Sequence, residues 1–165
     1  MTYTRRVISA QCKLSGPDIF PLPPGIDGAQ LLWAISGNES SFGSDCTPRH
    51  EPAFDVGGIY GDNAVMKPLL EKFGSAAACS YGPWQIMFCN APPGFTPDDL
   101  SRLPLVARVT VLFLNSLLDR FHPQDLAGIG ECWNAGHTMA VPLPGVARYV
   151  NELVANYAVV MQVNP

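Results

Sequence analysis

The chain has 165 residues, of which 47% are hydrophobic and 15% are charged, and its formal net charge is −4 at pH 7. This length suits a single domain, residues 1–165, around one core, and the composition excludes a largely disordered chain. Because no run of Lys or Arg offers a basic surface to phosphates, we expect no nucleic-acid partner, although a neutral polymer remains compatible. No apolar run is long enough to predict a membrane span.

The N-terminal stretch, residues 1–26, is predicted to be an irregular segment packed on the domain. Tyr3, Val7 and Ile8 favour a short strand there. Four prolines between residues 17 and 24 disfavour a helix in this part of the chain.

The first predicted helix covers about residues 27–40, with Asp27 as its N-cap. Apolar residues recur at helical spacing as far as Ile35, and Glu39 follows four residues later on the same face. We therefore expect the Glu39 carboxylate to face the core. Because burial raises the pKa of a carboxyl group, Glu39 is the candidate general acid of the chain.

The middle of the chain alternates irregular and helical segments. A loop rich in Gly, Pro and Asp covers residues 43–61, and a second helix is predicted over residues 62–73, ended by Gly74. A proline at a first helical position predicts a short helix over residues 83–89.

The C-terminal half is dominated by a strongly apolar helix, predicted from about residue 104 to 121 and expected to be the central buried helix. Thr96 begins a capping box before it, and further helices are predicted over residues 123–135 and 145–161. The predicted fold is thus mostly α, with a central buried helix and long irregular loops. The expected apolar face of the long helix consists of Leu105, Val109, Leu112, Phe113, Ser116 and Leu117.

The cysteines and histidines give no metal-binding pattern. The five cysteines are an odd number without Cys-x-x-Cys spacing, and the three histidines are dispersed. We therefore expect no metal and no cofactor. Cys79 and Cys89 either form a disulfide or remain thiols, and the sequence leaves both open.

Four short segments together resemble the motifs of one family, in the family's order. They are residues 39–42 (Glu-Ser-Ser-Phe), 82–87 (Gly-Pro-Trp-Gln-Ile-Met), 132–136 (Cys-Trp-Asn-Ala-Gly) and 144–150 (Pro-Gly-Val-Ala-Arg-Tyr-Val). Soluble lytic transglycosylases and goose-type lysozymes carry similar segments: Glu-Ser-x-Phe, Gly-Leu-Met-Gln-Ile/Leu-Met, Ala-Tyr-Asn-Ala-Gly and Pro-x-Glu-Thr-x-x-Tyr-Val. This chain departs from the last segment by lacking its Glu-Thr pair.

The resemblance implies a lysozyme-like fold and an enzyme that cleaves the β-1,4 bond between N-acetylmuramic acid and N-acetylglucosamine in peptidoglycan. It implies the lytic transglycosylase type, with Glu39 as the single catalytic residue, first acid and then base. It also implies that Tyr149 points to the catalytic glutamate. The residues expected to bind or orient the substrate are Ser40, Tyr81, Gln85, Asn134 and Tyr149.

These residues also have other readings. Tyr81 and Trp84 either stack on sugar rings or belong to the core, because aromatic residues suit both places. Gln85 is expected to hydrogen-bond sugar hydroxyls or acetamides. Asn134 holds an acetamide, contacts the backbone near Glu39, or ends its helix, since Asn-Ala-Gly is typical of a helix C-terminus.

Two alternatives remain open. A hydrolytic muramidase would use a second carboxylate to position water. The candidates are four loop residues, Glu51, Asp55, Asp45 and Asp62, of which the first two are preferred. Residues 49–54 are similar to a Phe-Glu-Pro-His segment of some phage-type N-acetylmuramidases. A non-catalytic glycan-binding module is the alternative from another class.

The expected partner is the glycan strand of peptidoglycan, bound by a monomer at the bacterial cell wall, in the periplasm or outside the cell. Arg5 and Arg6 are followed by too few apolar residues to predict a secretory signal. We therefore expect a phage enzyme or a processed chain.

Overall fold

The computed structural model describes residues 2–159 and residue 161. About 60% of the described residues are helical, with short 3-10 helices included, which confirms the prediction of a mostly α protein. The described part contains six α-helices and one antiparallel sheet with strand order β1-β2-β3. The helices are α1 (Arg5–Ser15), α2 (Gly28–Ser40), α3 (Met66–Phe73), α4 (Leu103–Phe121), α5 (Leu126–Ala135) and α6 (Pro144–Ala158). The strands are β1 (Arg49–His50), β2 (Cys79–Tyr81) and β3 (Ile86–Met87).

The prediction of an irregular N-terminal segment with a short strand is wrong, because helix α1 forms over residues 5–15. The Thr4 side chain accepts a hydrogen bond from the backbone N–H of Val7 and caps the helix. Ile8 and Cys12, four residues apart, are fully buried on the face that packs on α2. The prolines follow α1 instead of interrupting it, so they exclude a helix only beyond its end.

Helix α2 begins where the sequence predicts, and it is the helix buried on every side. The Asp27 side chain accepts a hydrogen bond from the backbone N–H of Gln30 at 2.7 Å, which confirms it as the N-cap. All residues from 31 to 36 are buried, because α1 packs on one side of the helix and α6 on another. The helix ends at Ser40, and its C-cap Ser41 has a left-handed φ of 51°.

Helix α4 has the predicted length, but its expected central position is wrong and its buried face is only partly as predicted. Val109 and Leu117 are buried as expected. Leu112 is 44% exposed and Ser116 is exposed, whereas Thr110 and Leu114 are fully buried. Thr110 is tolerated inside because its hydroxyl donates to the Val106 carbonyl at 2.8 Å. The helix therefore covers the core with one face, and α2 takes the central position expected for it. The predicted capping box at Thr96 is confirmed.

Two further predictions in the middle of the chain need correction. Helix α3 starts later than predicted because the Asn63 side chain accepts from the backbone N–H groups of Val65 and Met66. The short helix predicted over residues 83–89 is instead a hairpin of β2 and β3 joined by a tight turn.

That turn explains the wrong prediction. Pro83 follows Gly82, whose φ is +72°, and the N–H of Gln85 donates to the Gly82 carbonyl at 3.2 Å. A proline at the second position of a four-residue turn has the same fixed φ as a proline at the start of a helix. The sequence signal is therefore shared by both structures, and the pairing of Tyr81 with Ile86 decides for the hairpin.

Most of the buried apolar side chains of the described residues form one cluster, contributed mainly by α2, α4 and the hairpin. All five cysteines are free thiols, so Cys79 and Cys89 are not bonded to each other. Among residues 2–159, no helix has both the length and the apolar character needed to cross a bilayer.

Candidate active site

A cleft of about 660 Å³ lies between α2, the sheet, the loop after β1, and helices α4, α5 and α6. Its walls combine aromatic, amide and charged side chains, which suits a ligand with both polar groups and apolar faces. The charged residues that line it are Glu39, Arg49, Glu51, Arg148 and Glu152.

Glu39 is held in a fixed orientation at the C-terminal end of α2. Its side chain is only 13% exposed and still lines the cleft. Its Oε1 accepts two hydrogen bonds of 2.9 Å, one from Trp133 Nε1 on α5 and one from the Tyr149 hydroxyl on α6. Two packed helices therefore orient one carboxylate oxygen.

The pKa of Glu39 is raised above its usual value, mainly because burial removes water from the charged form. The hydrogen bonds from Trp133 and Tyr149 and the positive charge of Arg49 lower it, and the negative charge of Glu51 raises it further. Burial also raises the pKa of Tyr149 well above its usual value, so that this hydroxyl keeps its proton and remains a donor. The arrangement can hold a proton on Glu39 and deliver it inside the cleft.

Arg49 connects Glu39 with a second carboxylate. Its Nε donates to Glu51 Oε1 at 2.6 Å, and its Nη2 lies 3.9 Å from Glu39 Oε2. Glu51 Oε1 is also 3.5 Å from the Ser80 hydroxyl. Glu51 thus lies in the same cleft as Glu39, but it already forms an ion pair.

Gln85 reaches the cleft from the hairpin turn, as expected, although its amide is partly engaged. Its Oε1 accepts from the Ser80 hydroxyl at 2.8 Å, and its Nε2 donates to the Gly82 carbonyl at 2.9 Å. These contacts fix the side chain, which is 9% exposed, against the cleft wall. Asn134 lines the cleft from inside α5. It is not the C-cap, because Gly136 has that position with φ +77°.

Two predicted substrate-contacting residues do not line the cleft. Ser40 Oγ lies 2.7 Å from the Pro83 carbonyl and accepts from the Gly43 N–H at 2.9 Å, so it ties α2 to the hairpin turn. Tyr81 is 5% exposed and donates to the Ala76 carbonyl. Trp84 is fully buried, so of the two alternatives it is a core residue. The three side chains support the site from behind instead of contacting its ligand.

The four loop residues considered as a second carboxylate lie in different places. Only Glu51 of the four candidates lines the main cleft. Asp55 lies 2.9 Å from His50 Nε2 on β1, forms a pair with it, and does not line the cleft. Asp45 borders a smaller adjoining hollow that it shares with Glu39, and its pKa is lowered by hydrogen bonds from Thr47. Asp62 is exposed and lines neither space.

No role in the site was predicted for Trp133, for Arg49, or for the cleft-lining aromatic residues other than Tyr149. The signal for Trp133 was available: an indole N–H has to find an acceptor when the ring is partly buried. Arg49 has no such signal, since its place depends on the pairing of β1 with β2. The aromatic residues that line the cleft are Phe54, Tyr60, Phe113, Trp133 and Tyr149.

The described residues contain no group of three or more His, Cys, Asp or Glu side chains placed to hold a metal ion. Comparisons of the chain with protein-family models, with curated proteins and with solved structures gave no match.

Proposed function

We propose that the protein is a peptidoglycan-cleaving glycosidase with a lysozyme-like fold, and that Glu39 is its general acid. One observation carries the proposal: a carboxyl group with a raised pKa, 13% exposed, faces a large cleft and is held there by two hydrogen bonds. A helix-end glutamate without such a role would normally be solvated. The proposed place of action is the bacterial cell wall.

In the proposed reaction, the protonated Glu39 donates its proton to the glycosidic oxygen while the bond to C1 of N-acetylmuramic acid breaks. The sugar passes through an oxocarbenium-like transition state. In the transglycosylase type, the C6 hydroxyl of the same sugar attacks C1 and gives a 1,6-anhydro ring. Glu39, now a carboxylate, takes up the proton of that hydroxyl, so the enzyme returns to its starting state.

The ion pair of Glu51 with Arg49 supports the single-glutamate mechanism, because a carboxylate already bound to a guanidinium is a poor base for activating water. The hydrolytic muramidase is the second candidate. It is favoured by one observation, which is that Glu51 lines the same cleft as Glu39. Both mechanisms use Glu39 as the acid, and they differ in the group that attacks C1, which is the C6 hydroxyl of the sugar in one and water in the other.

The test compares wild type with Glu39→Gln and Glu51→Gln in a turbidity assay on purified cell walls. Gln keeps the shape of Glu39 and still accepts the two hydrogen bonds, so the fold should persist. We expect Glu39→Gln to lower the rate by about 10² to 10⁴, the usual contribution of a general acid. Equal clearing by wild type and Glu39→Gln would refute the assignment. Binding of walls without clearing by wild type would indicate a glycan-binding module.

Mass spectrometry of the released fragments separates the two enzyme types. Anhydro ends, together with an active Glu51→Gln variant, mean a transglycosylase. Reducing ends, together with an inactive Glu51→Gln variant, mean a hydrolase with a second carboxylate.

A further inference from the structure

The loop between β1 and α3 brings two aromatic side chains to the cleft. We call residues 51–61 the aromatic loop. Phe54 and Tyr60 line the cleft, and their ring centroids are 4.9 Å apart at an interplanar angle of 39°. Tyr60 is 48% exposed, so a large part of its side chain is open to solvent. None of these residues belongs to the four segments that carry the family resemblance.

The aromatic loop is tied together by its own backbone. The N–H of Tyr60 donates to the Ala53 carbonyl at 2.8 Å, and the N–H of Gly58 donates to the Asp55 carbonyl at 2.8 Å. A Cβ at Gly61 would lie 1.6 Å from the Asp55 carbonyl oxygen, so the chain passes itself too closely for any side chain there.

Contacts with β1 and with the residue before β2 hold the loop in place. The N–H of Glu51 donates to the Ala78 carbonyl at 2.8 Å, and His50 on β1 pairs with Asp55. The Tyr60 ring is thus presented to the cleft in a preorganised position, which lowers the entropic cost of binding a ligand to it.

The cleft has a second aromatic pair, contributed by α4 and α5. Phe113 and Trp133 meet edge to face with centroids 5.5 Å apart, and both line the cleft. Amide and charged groups line the same cleft, including Asn134, Arg49 and Glu51. A sugar ring matches this pattern, since its faces carry C–H groups and its edge carries hydroxyl and acetamide groups.

We propose that Tyr60, supported by Phe54, is a stacking platform for one sugar ring of the glycan strand and a determinant of its affinity. The inference rests on the proposed function. It adds a binding position on the aromatic loop to the residues around Glu39.

The test measures binding of peptide-free peptidoglycan strands by isothermal titration calorimetry, in a Glu39→Gln background that cannot cleave them. Tyr60→Ala should weaken binding about tenfold, from loss of the aromatic face. Tyr60→Phe should bind like the parent, because the face remains. Ile59→Ala is the matched control: it removes an 82% exposed side chain next to Tyr60 that does not line the cleft, and it should leave binding unchanged.

The outcomes separate the two proposals. If Tyr60→Ala binds the strands as tightly as the Glu39→Gln parent does, the platform is overturned and the proposed function stands. Absence of binding by the Glu39→Gln parent overturns both. In the cleaving enzyme, Tyr60→Ala should raise KM and leave the pH profile unchanged, whereas a shifted profile would mean that the loop acts on Glu39 instead of on the glycan. Thermal melting of Tyr60→Ala serves as the check of folding.

Discussion

The hydrogen bond from Tyr149 to Glu39 gives the sharpest prediction about the site. Tyr149→Phe removes one hydroxyl and leaves the ring, which is 9% exposed, packed as before. Glu39 Oε1 then keeps only the bond from Trp133. The change therefore perturbs the orientation and the proton affinity of the proposed acid without altering the shape of the cleft.

The magnitude follows from the kind of bond that is lost. A hydrogen bond to a charged group contributes about 1.5–3 kcal/mol. If the whole loss is felt in the transition state, the rate falls by about 10-fold to about 150-fold, at 1.36 kcal/mol for each factor of ten. The Trp133 bond to the same oxygen will moderate this, and Trp133→Phe combined with Tyr149→Phe should be non-additive.

The sign of the pH effect is also fixed. The Tyr149 bond lowers the pKa of Glu39, so its removal raises that pKa. A general acid is active when protonated, and activity is lost as pH rises through its pKa. The alkaline limb of kcat/KM should therefore move to higher pH in Tyr149→Phe.

The assay is the pH profile of kcat/KM from about pH 4 to about pH 9 at constant ionic strength. Tyr157→Phe is the matched control, because it makes the same chemical change on the same helix. The Tyr157 hydroxyl accepts from the Asp27 N–H at 2.8 Å and does not line the cleft. A profile of Tyr149→Phe identical to that of Tyr157→Phe would refute the reasoning.

Two further predictions concern stability. The pKa of Glu39 is higher in the folded than in the unfolded state, so the stability of the protein falls as pH rises from the unfolded pKa of about 4.3 to the folded pKa. Glu39→Gln should therefore melt at a higher temperature than wild type at pH 7, by about 2–4 °C for each kcal/mol of penalty removed. The advantage should shrink toward about pH 4, and a pH-independent difference would contradict it. Trp33 and Trp84 are both buried, but only Trp84 has a partner for its N–H, the Leu32 carbonyl at 2.8 Å. In urea unfolding, Trp84→Phe should therefore cost about 1 kcal/mol more than Trp33→Phe, and equal losses would show that the bond contributes nothing.

The sequence alone was enough to predict those parts of the fold that depend on neighbouring residues, such as helix caps and helix lengths. Asp27 caps α2 because its side chain reaches an N–H three residues away, and α4 keeps its predicted length because apolar residues recur along the whole segment. The failures lie where distant contacts decide. Pro83 suits a helix start and a turn equally, and only pairing between strands chooses the turn.

The same division applies to the site. The helical periodicity was enough to predict that Glu39 faces inward, and the family resemblance predicted its contact with Tyr149. Arg49 reaches Glu39 only because it pairs with Ser80 across the sheet, 31 residues later. Tyr60 reaches the cleft only through the folding of its loop. Neither position leaves a signal in a single sequence.

Ser40 links the two parts of the chain that carry Glu39 and Gln85. Its oxygen lies between the last turn of α2, which carries Glu39, and the turn that carries Gln85. If this buried contact breaks, the two parts lose a direct connection while the rest of the core can stay packed. We therefore expect local opening of the hairpin to remove the proposed activity before global unfolding does. Ser40, which does not line the cleft, would then set how long the site survives heating.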